Sequence, residues 1–197
     1  MKKHLIVAGP PRTGKSTLCR LISQKLGYQH VSMDAVVDAL IACFPQVGLD
    51  SRALPDLEGL RAMSRKIAPF LQALTEGGEY DEMGYGMVLD ICQVFPEDLA
   101  RALDRSQFGV CFLITAQETP AQRLALLDRF DQPKDYSFHQ SPEERRALCA
   151  HVVAVSRVLK EECRRWGFSC FETGRNRSET LDSLVETLQQ TGDFPAL

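Results

Sequence analysis

Short apolar runs alternate with amphipathic stretches along the whole chain. Five runs have the length and composition of buried strands, at 5–8, 28–32, 87–91, 110–115 and 168–171. Between them, apolar residues recur three or four positions apart, which predicts helices that begin near 15, 34, 96, 120, 142 and 177. Strands that alternate with helices are typical of an α/β fold with a parallel sheet.

Some helix starts can be recognised from local residue patterns. Thr119 is followed by proline and, three positions on, by Gln122, and Ser141 is followed in the same way by Glu144. This spacing is the signature of a capping box with proline in the first helical turn. Asn176 is in turn predicted to begin the last helix.

Two regions interrupt the strand and helix alternation. Residues 45–86 are predicted to form a helical insertion that Pro69 breaks or kinks. Residues 131–141 form a polar loop between two helices. We interpret 34–86 as a region that binds a second ligand and 131–141 as a lid, both within one domain over 1–197.

The composition excludes several classes of protein. Hydrophobic residues make up 44% and charged residues 25% of the 197 residues, as in ordinary globular proteins, and the net charge is −3. A slightly acidic chain is not built around a basic surface, so we expect neither a nucleic-acid nor a membrane partner. The seven cysteines are an odd number with no CxxC pair, which predicts free thiols and a cytoplasmic protein. We expect either a monomer or a homodimer.

The strongest chemical signal follows the first predicted strand. Residues 9–16 read GPPRTGKS and match G-x-x-x-x-G-K-[ST] in full, between an apolar strand and an amphipathic helix. Glycines at 9 and 14 permit backbone conformations in which successive N–H groups point at phosphate oxygens, and the helix start adds its positive dipole end. We therefore predict that ATP binds to Gly9, Pro10, Pro11, Arg12, Thr13, Gly14, Lys15, Ser16 and Thr17, with Mg²⁺ held at Ser16.

This motif near the start of a short chain, with a helical insertion and an arginine-bearing lid, resembles the P-loop kinases of small molecules. That group includes the adenylate, shikimate and gluconate kinases. The resemblance implies a five-stranded parallel sheet in the order 2-3-1-4-5, flanked by helices. It also implies that ATP with Mg²⁺ donates a phosphoryl group to a small-molecule acceptor.

Two aspartates stand where such kinases need carboxylates. Asp34 follows the second strand, where the resemblance implies that a carboxylate orients or deprotonates the acceptor; capping of the following helix is the alternative. Asp90 is predicted at the end of the third strand, where it would hold Mg²⁺ through water or contact the acceptor; a simple turn residue is the alternative.

Cations cluster around the predicted lid. Arg123 and Arg129 precede it and are our candidates for neutralising the transferred group during catalysis, with a solvated helix face as the alternative for each. After the fifth strand, 173–175 falls where related kinases place a loop against adenine, which makes Arg175 a candidate contact; a plain strand-to-helix turn is equally compatible.

The acceptor itself is not identified by the motifs. The segment after Asp90 lacks both the Gly and Arg of adenylate kinases and the glycine-rich run of shikimate kinases. Arg52, Arg61 and Arg65 could bind an anionic acceptor, or could be solvated surface charges. A nucleotide-dependent switch without phosphotransfer is the second hypothesis, and a nucleic-acid end kinase is the third.

Overall fold

The computed structural model describes residues 2–50, 54–76 and 84–195. Five strands lie in this part of the chain: β1 (His4–Ala8), β2 (Gln29–Ser32), β3 (Met87–Ile91), β4 (Phe108–Ile114) and β5 (Ser169–Glu172). They form one parallel sheet in the order β2-β3-β1-β4-β5. The predicted α/β fold and strand order are confirmed.

Seven α-helices are present among the described residues: α1 (Lys15–Leu26), α2 (Met33–Cys43), α3 (Leu57–Thr75), α4 (Pro96–Ala102), α5 (Pro120–Phe130), α6 (Pro142–Trp166) and α7 (Arg177–Thr191). Two 3-10 helices, Pro45–Val47 and Tyr136–His139, lie within the predicted insertion and lid. Among the described helices, none combines the length and hydropathy needed to cross a bilayer.

The strands bury both faces, so alternate residues belong to two apolar clusters. Leu5 and Val7 of β1 pack with α1 and α7, whereas Ile6 and Ala8 pack with α2, α3, α4 and α6. This division follows from the two-residue period of a strand. Because all five strands are parallel, their carboxyl ends meet at one edge of the sheet. Most of the predicted site residues lie at this edge.

The capping signals are confirmed where their pattern was complete. Thr119 and Ser141 both form reciprocal capping boxes, with Gln122 and Glu144. Asn176 precedes α7 as predicted but makes no side-chain capping bond. Complete boxes fix both ends of the interaction locally, so short-range sequence is sufficient to specify them.

The prediction that Pro69 breaks the insertion helix is wrong, because α3 continues through it to Thr75. A proline in a helix interior costs about 3 kcal/mol since it removes one hydrogen bond and crowds the preceding turn. Burial of Leu60, Met63, Ile67 and Leu71 along one face of α3 offsets that cost.

We predict that Leu71→Ala lowers the free energy of unfolding by about 2 to 5 kcal/mol, because Leu71 is fully buried and truncation leaves a cavity. The matched control is Leu57→Ala in the same helix, which is 39% exposed and should change stability by no more than about 0.5 kcal/mol. Urea titration followed by circular dichroism measures both. Equal losses in the two variants would contradict the packing of α3 on the sheet.

Candidate active site

The loop between β1 and α1 depends on backbone conformations that favour glycine. Gly9 has φ +134° and Gly14 has φ +101°, and Arg12 between them is left-handed with φ 64°. A β carbon at Gly9 would overlap the carbonyl oxygen of Leu113 in β4. At Gly14, a β carbon would lie 3.1 Å from the side chain of Arg177. The first glycine is therefore required by both backbone angle and space.

Contacts from distant parts of the chain hold this loop in place. Thr13 Oγ1 donates to the Pro10 carbonyl at 2.9 Å, and Thr173 Oγ1 donates to the Thr13 carbonyl at 2.8 Å. Arg123 Nη2 donates to the carbonyl of Arg12. These hydrogen bonds fix the carbonyl groups of the loop and therefore its backbone. A fixed backbone is what a loop needs if its N–H groups are to bind an anion.

The predicted phosphate-binding residues are contiguous across this loop and the start of α1. Lys15 is only 6% exposed, and its Nζ donates to the Pro10 carbonyl at 3.0 Å, so its charge lies within the loop. Ser16 and Thr17 are exposed in the first turn of α1. A lysine ammonium, loop amides and a helix N-terminus together can hold a polyphosphate.

Asp90 lies beneath the same loop, in the sheet. It pairs in register with Val7 of β1 and is 4% exposed. It is the fourth of five residues in β3, so the alternative that it is a turn residue is wrong. His30 Nε2 lies 3.8 Å from its Oδ2. Its carboxylate also lies within 4.8 Å of a ligand atom of Cys19. Carboxylate and hydroxyl oxygens, such as those of Asp90 and Ser16, are the ligand types that Mg²⁺ accepts.

Asp34 is held by the chain that follows β3. Gln93 Nε2 donates to Asp34 Oδ1 at 2.9 Å, and the Cys92 thiol donates to the same oxygen at 3.0 Å. Burial raises the pKa of Cys92, so this thiol stays protonated and remains a donor. None of the described residues bonds to Asp34 Oδ2, which leaves that oxygen to meet a hydroxyl group.

The alternative that Asp34 caps its helix is wrong. The helix begins one residue earlier than predicted, at Met33, and the capping position belongs to Ser32. Asp34 therefore lies in the first turn, where its negative charge interacts favourably with the positive end of the helix dipole.

A cavity of about 310 Å³ lies between α2, α3, α6 and the predicted lid. Asp34 lines it together with Pro10 and Pro11 of the phosphate-binding loop, and Tyr136 of the lid lines it too. Burial raises the pKa of Tyr136 to about 12, so its hydroxyl is protonated at neutral pH. One cavity is thus bordered by the predicted base, by the loop and by the predicted lid.

Ion pairs tie the predicted lid, residues 131–141, to the loop between β1 and α1. Arg12 contacts Asp131 and lies 3.0 Å from Asp135. Its hydrogen bond holds the pKa of Asp135 below its usual range. Arg145 of α6 extends this network to Asp128, at 2.7 Å. The position of residues 131–141 is therefore coupled to the position of the loop.

The two predicted catalytic arginines differ in their surroundings. Arg123 is 6% exposed and lies 3.6 Å from Glu118, and burial lowers its pKa. It also lines a cavity of about 230 Å³ beside the loop. Arg129 is exposed, packs over Phe130 and lines a neighbouring cavity of about 760 Å³, on the side away from Asp34.

The loop from 173 to 177 borders both of these cavities. Arg175 lines each of them, next to Gly174, where a β carbon would overlap the Glu118 carboxylate. Arg177 lies against Gly14 and was missed by sequence reasoning. It is the first residue of the last helix and belongs to no motif, so only the fold brings it to the loop between β1 and α1.

The two described arginines of the insertion do not line the cavity. Arg61 pairs with Glu162 and packs over the Phe95 ring at 4.7 Å. Arg65 is exposed and does not line the cavity. Arg52 lies outside the described residues.

Comparison with known proteins identifies the fold. No protein-family model matches the chain. It is 37% identical over 59 residues to an adenylate kinase of Mycoplasmopsis pulmonis and 27% identical over 99 residues to one of Stenotrophomonas maltophilia. These segments are 30% and 50% of this chain, and they span 28% and 49% of the relatives, so this chain covers less than half of either one.

Solved structures match over nearly the whole chain. A shikimate kinase from Acinetobacter baumannii, in complex with shikimate, superposes with a TM-score of 0.58 at 15% identity over 95% of this chain and 93% of that chain. A sugar kinase from Janibacter sp. HTCC2649 superposes with a TM-score of 0.57 at 13% identity over 98% and 97%. The chain has the P-loop kinase fold. At these identities the likeness concerns the fold alone.

In this P-loop we predict that Gly9→Ala abolishes ATP binding and lowers the free energy of unfolding by about 2 to 5 kcal/mol, from overlap with β4 and from the positive φ. The control is Gly27→Ala, which shares a positive φ but has open space around it, and should cost about 1 to 2 kcal/mol and keep ATP affinity. Calorimetry with ATP and thermal unfolding measure the two effects. Unchanged ATP affinity in Gly9→Ala would exclude the loop as the phosphate site.

Proposed function

We propose that the protein is an ATP-dependent kinase that transfers a phosphoryl group to a hydroxyl group of a small molecule. The observation that carries this proposal is the cavity of about 310 Å³ that Asp34 lines together with Pro10 and Pro11 of the P-loop and with Tyr136. A donor site alone serves many functions, whereas a separate acceptor space with a carboxylate beside the donor site is what phosphotransfer requires.

In this proposal the triphosphate of ATP binds to the amides of residues 9–17 and to Lys15. The space beside Arg175, between α5 and the 173–177 loop, receives the nucleoside, because it adjoins the loop on the side away from Asp34. The buried charge of Lys15, whose Nζ lies against the Pro10 carbonyl, supports this placement of the triphosphate.

The Ser16 hydroxyl and Asp90 would hold Mg²⁺, Asp90 either directly or through water. When bound, the ion neutralises charge on the phosphate oxygens. Asp90 sits at a fixed position in the sheet, in register with Val7 of the strand that leads into the loop.

Asp34 acts on the acceptor. Its Oδ2 accepts the proton of the acceptor hydroxyl while that oxygen forms a bond to the γ-phosphorus. The bond from the γ-phosphorus to the oxygen that bridges it to the β-phosphorus breaks, and ADP leaves with the electron pair. Gln93 and Cys92 hold Asp34 in orientation through Oδ1.

Residues 131–141 act as the lid, and residues 34–86 form the acceptor region of a single domain. Arg12 and Arg123 lie where they can stabilise charge on the transferred group, and Arg129 would act from the nucleoside side. Their ion pairs with Asp131, Asp135 and Glu118 have to rearrange as phosphate takes up the same cations. All seven cysteines are free, which supports a cytoplasmic protein.

A switch without phosphotransfer would need no acceptor cavity, so the space around Asp34 favours the kinase. Neither a monomer nor a homodimer is favoured by any contact within the chain.

We predict that Lys15→Ala slows basal release of ADP from ATP by about 10² to 10³-fold. The substitution removes the preorganised ammonium charge that stabilises the transferred phosphate. The control is Lys25→Ala, on the exposed far end of α1, which should retain wild-type turnover. A coupled assay for ADP measures both variants, with circular dichroism to show that the fold is intact. Wild-type turnover in a folded Lys15→Ala protein would contradict the donor site.

We predict that Asp34→Asn lowers acceptor-stimulated ADP release by about 10² to 10⁴-fold, because the amide cannot take the proton of the hydroxyl. The affinity for ATP should not change. ADP release is measured with nucleosides, nucleotides, sugars and amino alcohols as acceptors. The control is Asp182→Asn, at an exposed position of α7, which should behave as the wild-type protein. If no acceptor stimulates the wild-type protein, the switch is favoured instead.

A further inference from the structure

Three side chains that can bind a metal ion come together from three elements of the fold. Cys19 belongs to α1, His30 to β2 and Asp90 to β3. The sulfur of Cys19, one ring nitrogen of His30 and one carboxylate oxygen of Asp90 all lie within 4.8 Å of one another. These three residues, which we name the 19–30–90 cluster, are therefore near enough to bind one ion.

The pleat of the sheet explains why the cluster forms. Val88 of β3 packs with residues of α1, and Asp90, two positions further on, projects from the same face of the strand. His30 pairs in register with Val88, so its side chain lies on that face too. Cys19 is fully buried in the same apolar cluster as Val88. The packing of α1 on β2 and β3 thus brings the three side chains together.

The distances in the cluster are those of ligands around one ion. His30 Nε2 lies 3.8 Å from Asp90 Oδ2, beyond the range of about 2.7 to 3.2 Å that is typical of a hydrogen bond. Two ligands of a tetrahedral Zn²⁺, with bonds of about 2.0 to 2.3 Å, are separated by about 3.3 to 3.8 Å. The separations that involve Cys19, each within 4.8 Å, reach this range after side-chain movements of about 1 Å.

The kinds of ligand in the cluster select the ion. Thiolate and imidazole groups favour Zn²⁺, whereas Mg²⁺ is bound through oxygen. Three protein ligands with a fourth position for water form an arrangement that Zn²⁺ adopts in proteins. His30 is exposed, so an ion can reach Cys19 and Asp90 from solvent past its ring.

The charges around the cluster are compatible with a divalent cation. Asp90 supplies one negative charge, and the Cys19 thiol supplies a second when Zn²⁺ displaces its proton to solvent. Burial raises the pKa of this thiol, so it stays protonated until an ion binds. Lys15 lies one helical turn before Cys19, but its Nζ donates to the Pro10 carbonyl at 3.0 Å, which holds its charge within the loop.

We propose that Cys19, His30 and Asp90 form a binding site for Zn²⁺. In the kinase proposed above, Asp90 also serves the Mg²⁺ that accompanies ATP, so Zn²⁺ in this site withdraws that carboxylate and inhibits turnover. The binding site is independent of the proposed function, whereas the inhibition rests on it.

Equilibrium dialysis of the untagged protein against micromolar Zn²⁺, without nucleotide, measures binding. We expect the affinity to fall by at least about 10-fold in His30→Gln and in Cys19→Ser, since each loses one ligand. His30 is exposed, so its variant should fold even where the substitution at buried Cys19 does not. The matched control is Cys149→Ser, which is buried in a separate apolar cluster and should bind Zn²⁺ as the wild-type protein does.

Co²⁺ in place of Zn²⁺ identifies the sulfur ligand. Bound Co²⁺ should give a thiolate-to-metal absorption band in the wild-type protein and in Cys149→Ser but not in Cys19→Ser, with circular dichroism to show that each is folded. Absence of binding by the wild-type protein would overturn the site. Affinity that is unchanged in both His30→Gln and Cys19→Ser would overturn it as well.

Inhibition is measured as ADP release from ATP with Mg²⁺ in excess. Zn²⁺ should halve the rate of the wild-type protein at a concentration at least about 10-fold below that needed for His30→Gln, each relative to its own rate without zinc. Equal sensitivity of the two would overturn the inhibition. Failure of every acceptor to be phosphorylated, with Zn²⁺ still bound through His30 and Cys19, would overturn the kinase proposal and support the metal site.

Discussion

The close approach of the P-loop to the backbone of β4 is the constraint on which the rest of the site depends. At Gly9 the chain turns directly beneath the Leu113 carbonyl, where no side chain fits. This turn determines where Lys15 and the start of α1 lie relative to the sheet. Because β1, β2 and β3 are parallel, Asp90 and the segment that leads to Asp34 reach the same edge. The residues proposed to bind the donor and the acceptor are thereby brought to one edge of the sheet.

Much of the fold was predictable because its signals are local. Strand burial, capping boxes and the P-loop pattern each depend on residues within a few positions, and the strand order follows from the resemblance to P-loop kinases. The boundary of α2 was less predictable, since Ser32 rather than Asp34 takes the capping position. Pro69 was misjudged because burial of one face of α3 outweighs a local helix-breaking tendency.

The candidate site was only partly predictable, because several contacts join residues far apart in sequence. Gln93 and Cys92 reach Asp34 across 59 and 58 positions, and no spacing rule indicates such pairs. Arg177 is similar, since its neighbour Gly14 precedes α1, at the other end of the chain. The sequence shows which residues are cationic but not which anions they pair with. Arg61 was a candidate to bind an anionic acceptor, yet it pairs with Glu162.

The hydrogen bonds from Thr173 and Arg123 to P-loop carbonyls join segments separated by 160 and 111 positions. The loop is short in sequence but is not an autonomous unit, since its shape is maintained by the last strand and by a helix beyond β4. Binding of a nucleotide to the loop should consequently also stabilise the segments that carry Thr173 and Arg123 against unfolding. Nucleotide should thus slow amide hydrogen exchange in β4 and β5, well away from the phosphates themselves.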